Sequence, residues 1–308
     1  MRDSVTKTKQ CMPRPDKRRL LTYVLMAYGV TWALWIPPLV YSASSGWPLP
    51  TLDKGLGAWS GLTPLQLGMA VCFQLAVYGP AVAALVVLWR GRDRAELRAW
   101  ARSIVRLRVA PGWYAFILLA PLAMAALVAT VGLAMGGTLA LAAMPAFGAI
   151  AAMATTQVLT SGMEEPGWRG FALPLLQRTH SAENASWYLG LIWAGWHLPY
   201  MLYLYRGMPL WQLPLILAGF TMSIIAMGYV HAWLYNSADS VAMNVLLHGW
   251  SNTTNTVVAL IVVSPVIPLA QAGVMWLFVL WLLRKYGKQT LSTSSRAQQA
   301  LPAESAAE

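Results

Sequence analysis

Eight apolar runs, each long enough to cross a hydrocarbon core of about 30 Å at about 20 residues per crossing, constrain this chain more than any other feature. They fall near 20–42, 65–89, 112–134, 141–162, 184–204, 209–235, 238–260 and 265–283. In lipid, backbone groups must be satisfied within the segment or by closure into a barrel, and runs of this length select helices. The expected fold is therefore an all-α, polytopic membrane domain over 20–286. A composition of 57% hydrophobic and 11% charged residues excludes an ordinary soluble domain of this size.

Basic residues orient the spans, because Lys and Arg collect on the cytoplasmic side. Seven lie in the tail to Arg19, seven between Arg90 and Arg108, two at Arg169 and Arg178, and four in the C-terminal tail. Only Lys54 and Arg206 fall on the other side. The chain is thus expected in the cell membrane as a multi-pass protein with both termini cytoplasmic. Its net charge of +11 is a topology signal that also suits anionic headgroups. Membrane lipids are the expected partners, and no nucleic acid is, since no basic soluble domain remains to bind one. The polar ends, 1–19 and 287–308, are expected to be disordered.

The first run is too long for a signal-peptide core and contains Pro37-Pro38, so it reads as a span. Cys11 and Cys72 fall in different environments, which makes a disulfide between them implausible. The stretch from Arg90 to Arg108 reads as an interfacial helix, with Leu97, Trp100, Ala101, Ile104 and Leu107 at helical spacing. Gly132 and Gly136 form a GxxxG pattern to which no function is assigned.

Against this apolar background, Glu164-Glu165-Pro166-Gly167-Trp168-Arg169-Gly170-Phe171 stands out, because ionisable groups at the edge of lipid are costly and are usually functional. On a helix Glu165 and Arg169 share a face as an ion pair. Glu164 is rotated about 100° away and left without that partner, as a base for water would be. Pro166 disfavours helical geometry at the residue before it, so Glu165 is also a candidate N-cap. A structural salt bridge closing a helix end is the alternative reading of the pair.

His197 lies deep in the fifth run and, taken alone, reads as a core histidine. Trp193, one turn earlier, reads as packing. In the seventh run His248 and Asn252 are four apart on one face, with Asn244 a turn earlier and Ser251, Thr253, Thr254 and Asn255 close by. Such polarity means helix–helix hydrogen bonds or a wet cavity. His231 has no polar companions on its own face and is expected at the interface.

Together, Glu164-Glu165 with Arg169, then an aromatic residue and His197, then His248 and Asn252, resemble the three motifs of the CPBP family, also called the Abi family. These are CAAX proteases and bacteriocin-processing enzymes of the membrane. The resemblance covers 161–255 and puts Trp193 where Phe is usual. It implies about eight transmembrane helices around a cavity open to the cytoplasm, and hydrolysis of a membrane-associated peptide or protein. By the same resemblance Glu164 and His197 activate water, His248 and Asn252 stabilise the oxyanion, and Glu165 and Arg169 support them. Cofactor use stays open between none and zinc, for which Glu164, His197 and His248 form a donor set. A silent scaffold or immunity protein of the same fold is an alternative. A proton-coupled transporter is another, but the paired halves common in transporters are not found.

Overall fold

The computed structural model describes residues 12–51 and 56–294 and is all-helical except for one two-residue strand pair. Helix α1 (Arg14–Ser45) stays helical through Pro37 and Pro38 and ends at Gly46, whose φ of 71° lets the chain turn. Helix α2 (Pro64–Leu75) runs through a 3₁₀ turn into α3 (Gly79–Arg90). Thr63 and Gln66 close a reciprocal cap at the start of α2. The amphipathic α4 (Arg94–Ile104) is capped by Asp93, which accepts the N–H groups of Ala95 and Glu96. Those bonds hold the Asp93 carboxyl below its ordinary pKa. A helix is thus present in the expected stretch, though Leu107 lies beyond its end.

Helix α5 (Pro111–Ala134) leads to β1 (Thr138–Leu139) and the short α6 (Phe147–Leu159). An irregular helical stretch follows: a 3₁₀ turn (Ser161–Glu164), α7 (Glu165–Gly167), a π turn (Trp168–Ala172) and α8 (Leu173–Gln177). Next come α9 (Ala182–Trp196), α10 (Leu198–Leu204), α11 (Leu213–Ala238), α12 (Val241–Ile261), β2 (Val262–Val263) and α13 (Ile267–Tyr286). The antiparallel pair Thr138↔Val263 and Leu139↔Val262 ties the end of α5 to the end of α12.

Among the described residues, five helices are long and apolar enough to cross a membrane: 16–45, 64–90, 111–134, 210–238 and 267–286. The chain is a multi-pass membrane protein, and its outward leucines meet lipid. Three of the eight expected spans are different. Helix α6 has 13 residues, about 20 Å of rise. The fifth expected span is divided into α9 and α10, and α12 carries the polar residues.

Of the three, α9 and α12 bury more than half of their residues, whereas α6 buries only Met153. Helix α12 lies between α5 and α6, and α9 lies on α11, while α1 and α3 pair beside α7. Close approach needs glycine at Gly249 and Gly167 among others: a Cβ on Gly249 would sit 2.5 Å from the Val158 nitrogen, and one on Gly167 would sit 2.4 Å from the Pro80 carbonyl carbon. Both distances are inside van der Waals contact, so these glycines let α12 reach α6 and the motif segment reach α3.

The expectation of disordered ends is corrected within the described residues. Helix α1 already begins at Arg14. Residues 287–294 fold back: Gln289 O accepts from Ala182, Thr290 O accepts from Asn236 Nδ2, and Leu291 is buried. The rest of both tails, with Cys11, and Lys54 lie outside the described residues.

Candidate active site

Pro166 does not push Glu165 out of helical geometry. Glu165 has φ −62° and ψ −33° and opens α7, so the N-cap alternative is corrected. The irregularity is absorbed downstream, in the π turn. Glu164 and Glu165 therefore point to different partners, each four residues on. Glu165 meets Arg169, whose Nη1 lies 3.1 Å from both carboxylate oxygens and donates to Oε1. Glu164 Oε2 accepts from the Trp168 indole at 3.3 Å and, across to α9, from Trp193 Nε1 at 2.8 Å. Its other oxygen takes no hydrogen bond among the described residues.

Trp193 is the hub of the site. Its ring centroid lies 5.9 Å from that of His197, 5.5 Å from that of His248 and 6.3 Å from that of His231, and the Arg169 guanidinium sits 4.4 Å above it. This cation–π contact partly replaces water for a guanidinium that is fully buried. The Trp193 carbonyl accepts from His197 Nδ1 at 2.9 Å. A carbonyl only accepts, so Nδ1 carries the proton and a neutral ring presents the Nε2 lone pair. The reading of Trp193 as packing alone is thus incomplete.

On α12, His248 Nδ1 donates to Glu165 Oε1 at 2.8 Å. Asn252, half-buried one turn on, donates weakly to Gln157 Oε1 of α6 at 3.4 Å. Gln157 also accepts from Ser161, which precedes the glutamates.

His231 is misplaced by the sequence reading. It is fully buried rather than interfacial, with Nδ1 2.8 Å from Asn244 Oδ1 and 3.9 Å from Glu165 Oε2. The Asn244 amide is fixed by donation to Ser240 O, so Nδ1 of His231 is the donor to it. Its partner comes from another helix, and spacing along α11 could not reveal it. Trp168 did carry a signal, since it stands to Glu164 as Arg169 stands to Glu165.

The His and carboxylate groups within mutual ligand reach, among the described residues, are Glu165, His231 and His248, not Glu164, His197 and His248. This set fits a divalent cation poorly. Glu165 Oε1 already receives both Arg169 and His248, and the cation would sit beside a buried guanidinium. Glu165 Oε2, His231 Nε2 and two Arg169 nitrogens are buried without hydrogen bonds. Each such group costs about 1–3 kcal/mol, and exceptions of this kind call for an explanation such as a catalytic role.

Residues 146–254 match the sequence profile of the family described as Type II CAAX prenyl endopeptidase Rce1-like. The chain is also 28% identical over 127 residues to the CAAX prenyl protease 2 of Methanococcus maripaludis. That stretch covers 39% of this chain and 44% of the relative, so the chain spans less than half of the relative's length. The matched segment contains the glutamate pair, Arg169, Trp193, His197, His231, His248 and Asn252, and over this part of its length, at low identity, the chain is similar to the Rce1-like CAAX (CPBP) proteases.

Proposed function

We propose that the chain is an intramembrane endopeptidase that cleaves a membrane-associated peptide or protein with a water activated by Glu164 and His197. The observation that carries this reading is the single residue Trp193, which bonds Glu164 through its indole N–H, fixes His197 through its backbone carbonyl and sets its ring against His248. One residue thereby gathers a base and two imidazoles.

In this reading the free oxygen of Glu164 takes a proton from water while the Nε2 lone pair of His197 orients it. The water oxygen bonds to the scissile carbonyl carbon. His248, with a proton on each nitrogen, donates from Nε2 to the developing oxyanion, and Asn252 donates its second amide N–H. Glu165 holds His248 for that task and is itself held by Arg169. As the C–N bond breaks, the proton stored on Glu164 passes to the leaving amine. No step requires a metal. The basic ends of the spans would face the cytoplasm, and with them both termini.

Incubating the purified protein with a membrane proteome, with and without a chelator, tests the reading. New peptide termini are expected from wild type in both conditions and none from Glu164→Ala. Identical termini from the two proteins would assign the chain a scaffold role, and loss of wild-type cleavage on chelation would restore a metal mechanism.

A further inference from the structure

A cavity of about 370 Å³, lined neither by Glu164 or Glu165 nor by a histidine, lies between α4, the π turn, α8 and the end of α11, with Glu96 and Asp239 as its carboxylates. Its position in the membrane follows from its walls. Arg102 and Arg106 come from the amphipathic α4, Arg178 from the residue after α8, and Tyr235 and Asp239 from the end of α11. Arg19, at the start of α1, bonds Glu96 on α4 and places that end of the bundle at the same level. The cavity therefore sits where the apolar spans end and headgroups begin.

Its charges do not cancel. Arg106 pairs with Asp239, and Arg178 pairs with Asp16 and Glu96. Arg102 lines the same cavity and has no carboxylate partner among the described residues. Pairing with Asp16 and Glu96 leaves Arg178 with N–H groups to spare, because a guanidinium carries five. Leu88, Phe171, Pro174 and Leu175 give the same cavity an apolar part to its lining. A surplus arginine fork beside two others, in a cavity that apolar side chains also line at headgroup depth, is the chemistry that holds a phosphate attached to an acyl chain.

We propose that this cavity binds the phosphate of an anionic phospholipid, with Arg102 as its principal cation. The site is separate from the peptidase reading and does not depend on it. It is nevertheless in contact with the motif segment, because Trp100, on its wall, donates Nε1 to the Pro166 carbonyl at 2.8 Å. A bound headgroup would brace α4 against that segment.

The test uses the full-length protein in nanodiscs of phosphatidylcholine, with or without phosphatidylglycerol, and native mass spectrometry to count retained lipid. Phosphatidylglycerol should be retained and should raise the thermal midpoint. Arg102→Gln, which breaks no ion pair, should weaken retention about fivefold and remove most of the thermal gain. Lys285→Gln at the end of α13 should change neither. Equal retention by wild type and Arg102→Gln would overturn the proposal. So would an equal thermal gain from inorganic phosphate in pure phosphatidylcholine, which would assign the cavity to a free anion.

Discussion

The five apolar helices and the segments that carry the motifs obey opposite burial rules. On the former, large side chains point outward, with Leu119 58% and Leu215 76% exposed. In the latter the most polar residues are innermost, with Glu165 and Arg169 at 0%. Lipid explains both. An exposed leucine loses nothing in a solvent as apolar as itself, whereas each ionisable group must find a partner inside. Of the expected spans that differ, the divided one and the polar one are given over to the second task, with His197 between α9 and α10 and His248 on α12. Their shape follows the site: α9 stops at Trp196 with Pro199 close behind, and His197 occupies the break.

Breaking the interior should therefore cost far more than altering the lipid face. The largest effect on stability is expected from Arg169→Leu, which strands a buried carboxylate. Removing one partner of such a pair costs about 3–5 kcal/mol, to be read as a lower thermal midpoint. A midpoint like that of wild type would show that Glu165 is satisfied without Arg169.

Asn252→Ala should come next, acting on turnover rather than on substrate binding. Loss of one preorganised donor costs about a hundredfold to a thousandfold in kcat. An unchanged kcat would reduce Asn252 to its contact with Gln157.

A smaller effect should follow Trp193→Phe, which keeps the ring but deletes the N–H to Glu164. Hydrogen bonds to charged groups contribute about 1.5–3 kcal/mol, so turnover should fall about tenfold to a hundredfold with the fold intact. Full activity would mean that Trp168 alone orients the carboxylate.

On the lipid face, Leu119→Ala should change stability by less than about 0.5 kcal/mol. A loss of several kcal/mol in a thermal melt would show that α5 is covered by protein there, and the comparison would fail for that helix.

Much of this was legible in the sequence for a physical reason. Spans are set by length and hydropathy, and the Glu165–Arg169 pair by the helical period, both of which are local. His231 and the donor role of Trp193 were not legible. An aromatic ring in an apolar run looks the same whether its N–H is used or idle, and the polar company of His231 comes from α7 and α12. The closeness of His231 and His248, with ring centroids 5.7 Å apart, depends on the packing of α11 on α12. The break after Trp196 was hidden for a milder reason, because Pro199 permits a kink as well as a stop.

The adjacent glutamates carry the central claim, since the account gives chemistry to Glu164 and support to Glu165. Cleavage and thermal midpoint measured side by side for Glu164→Gln and Glu165→Gln test it most directly. Glu164→Gln should be inactive with a midpoint near wild type, because the amide keeps size but cannot take a proton. Glu165→Gln should melt lower while its folded fraction still cleaves. A well-folded, inactive Glu165→Gln beside an unstable but active Glu164→Gln would contradict the account and exchange the two roles.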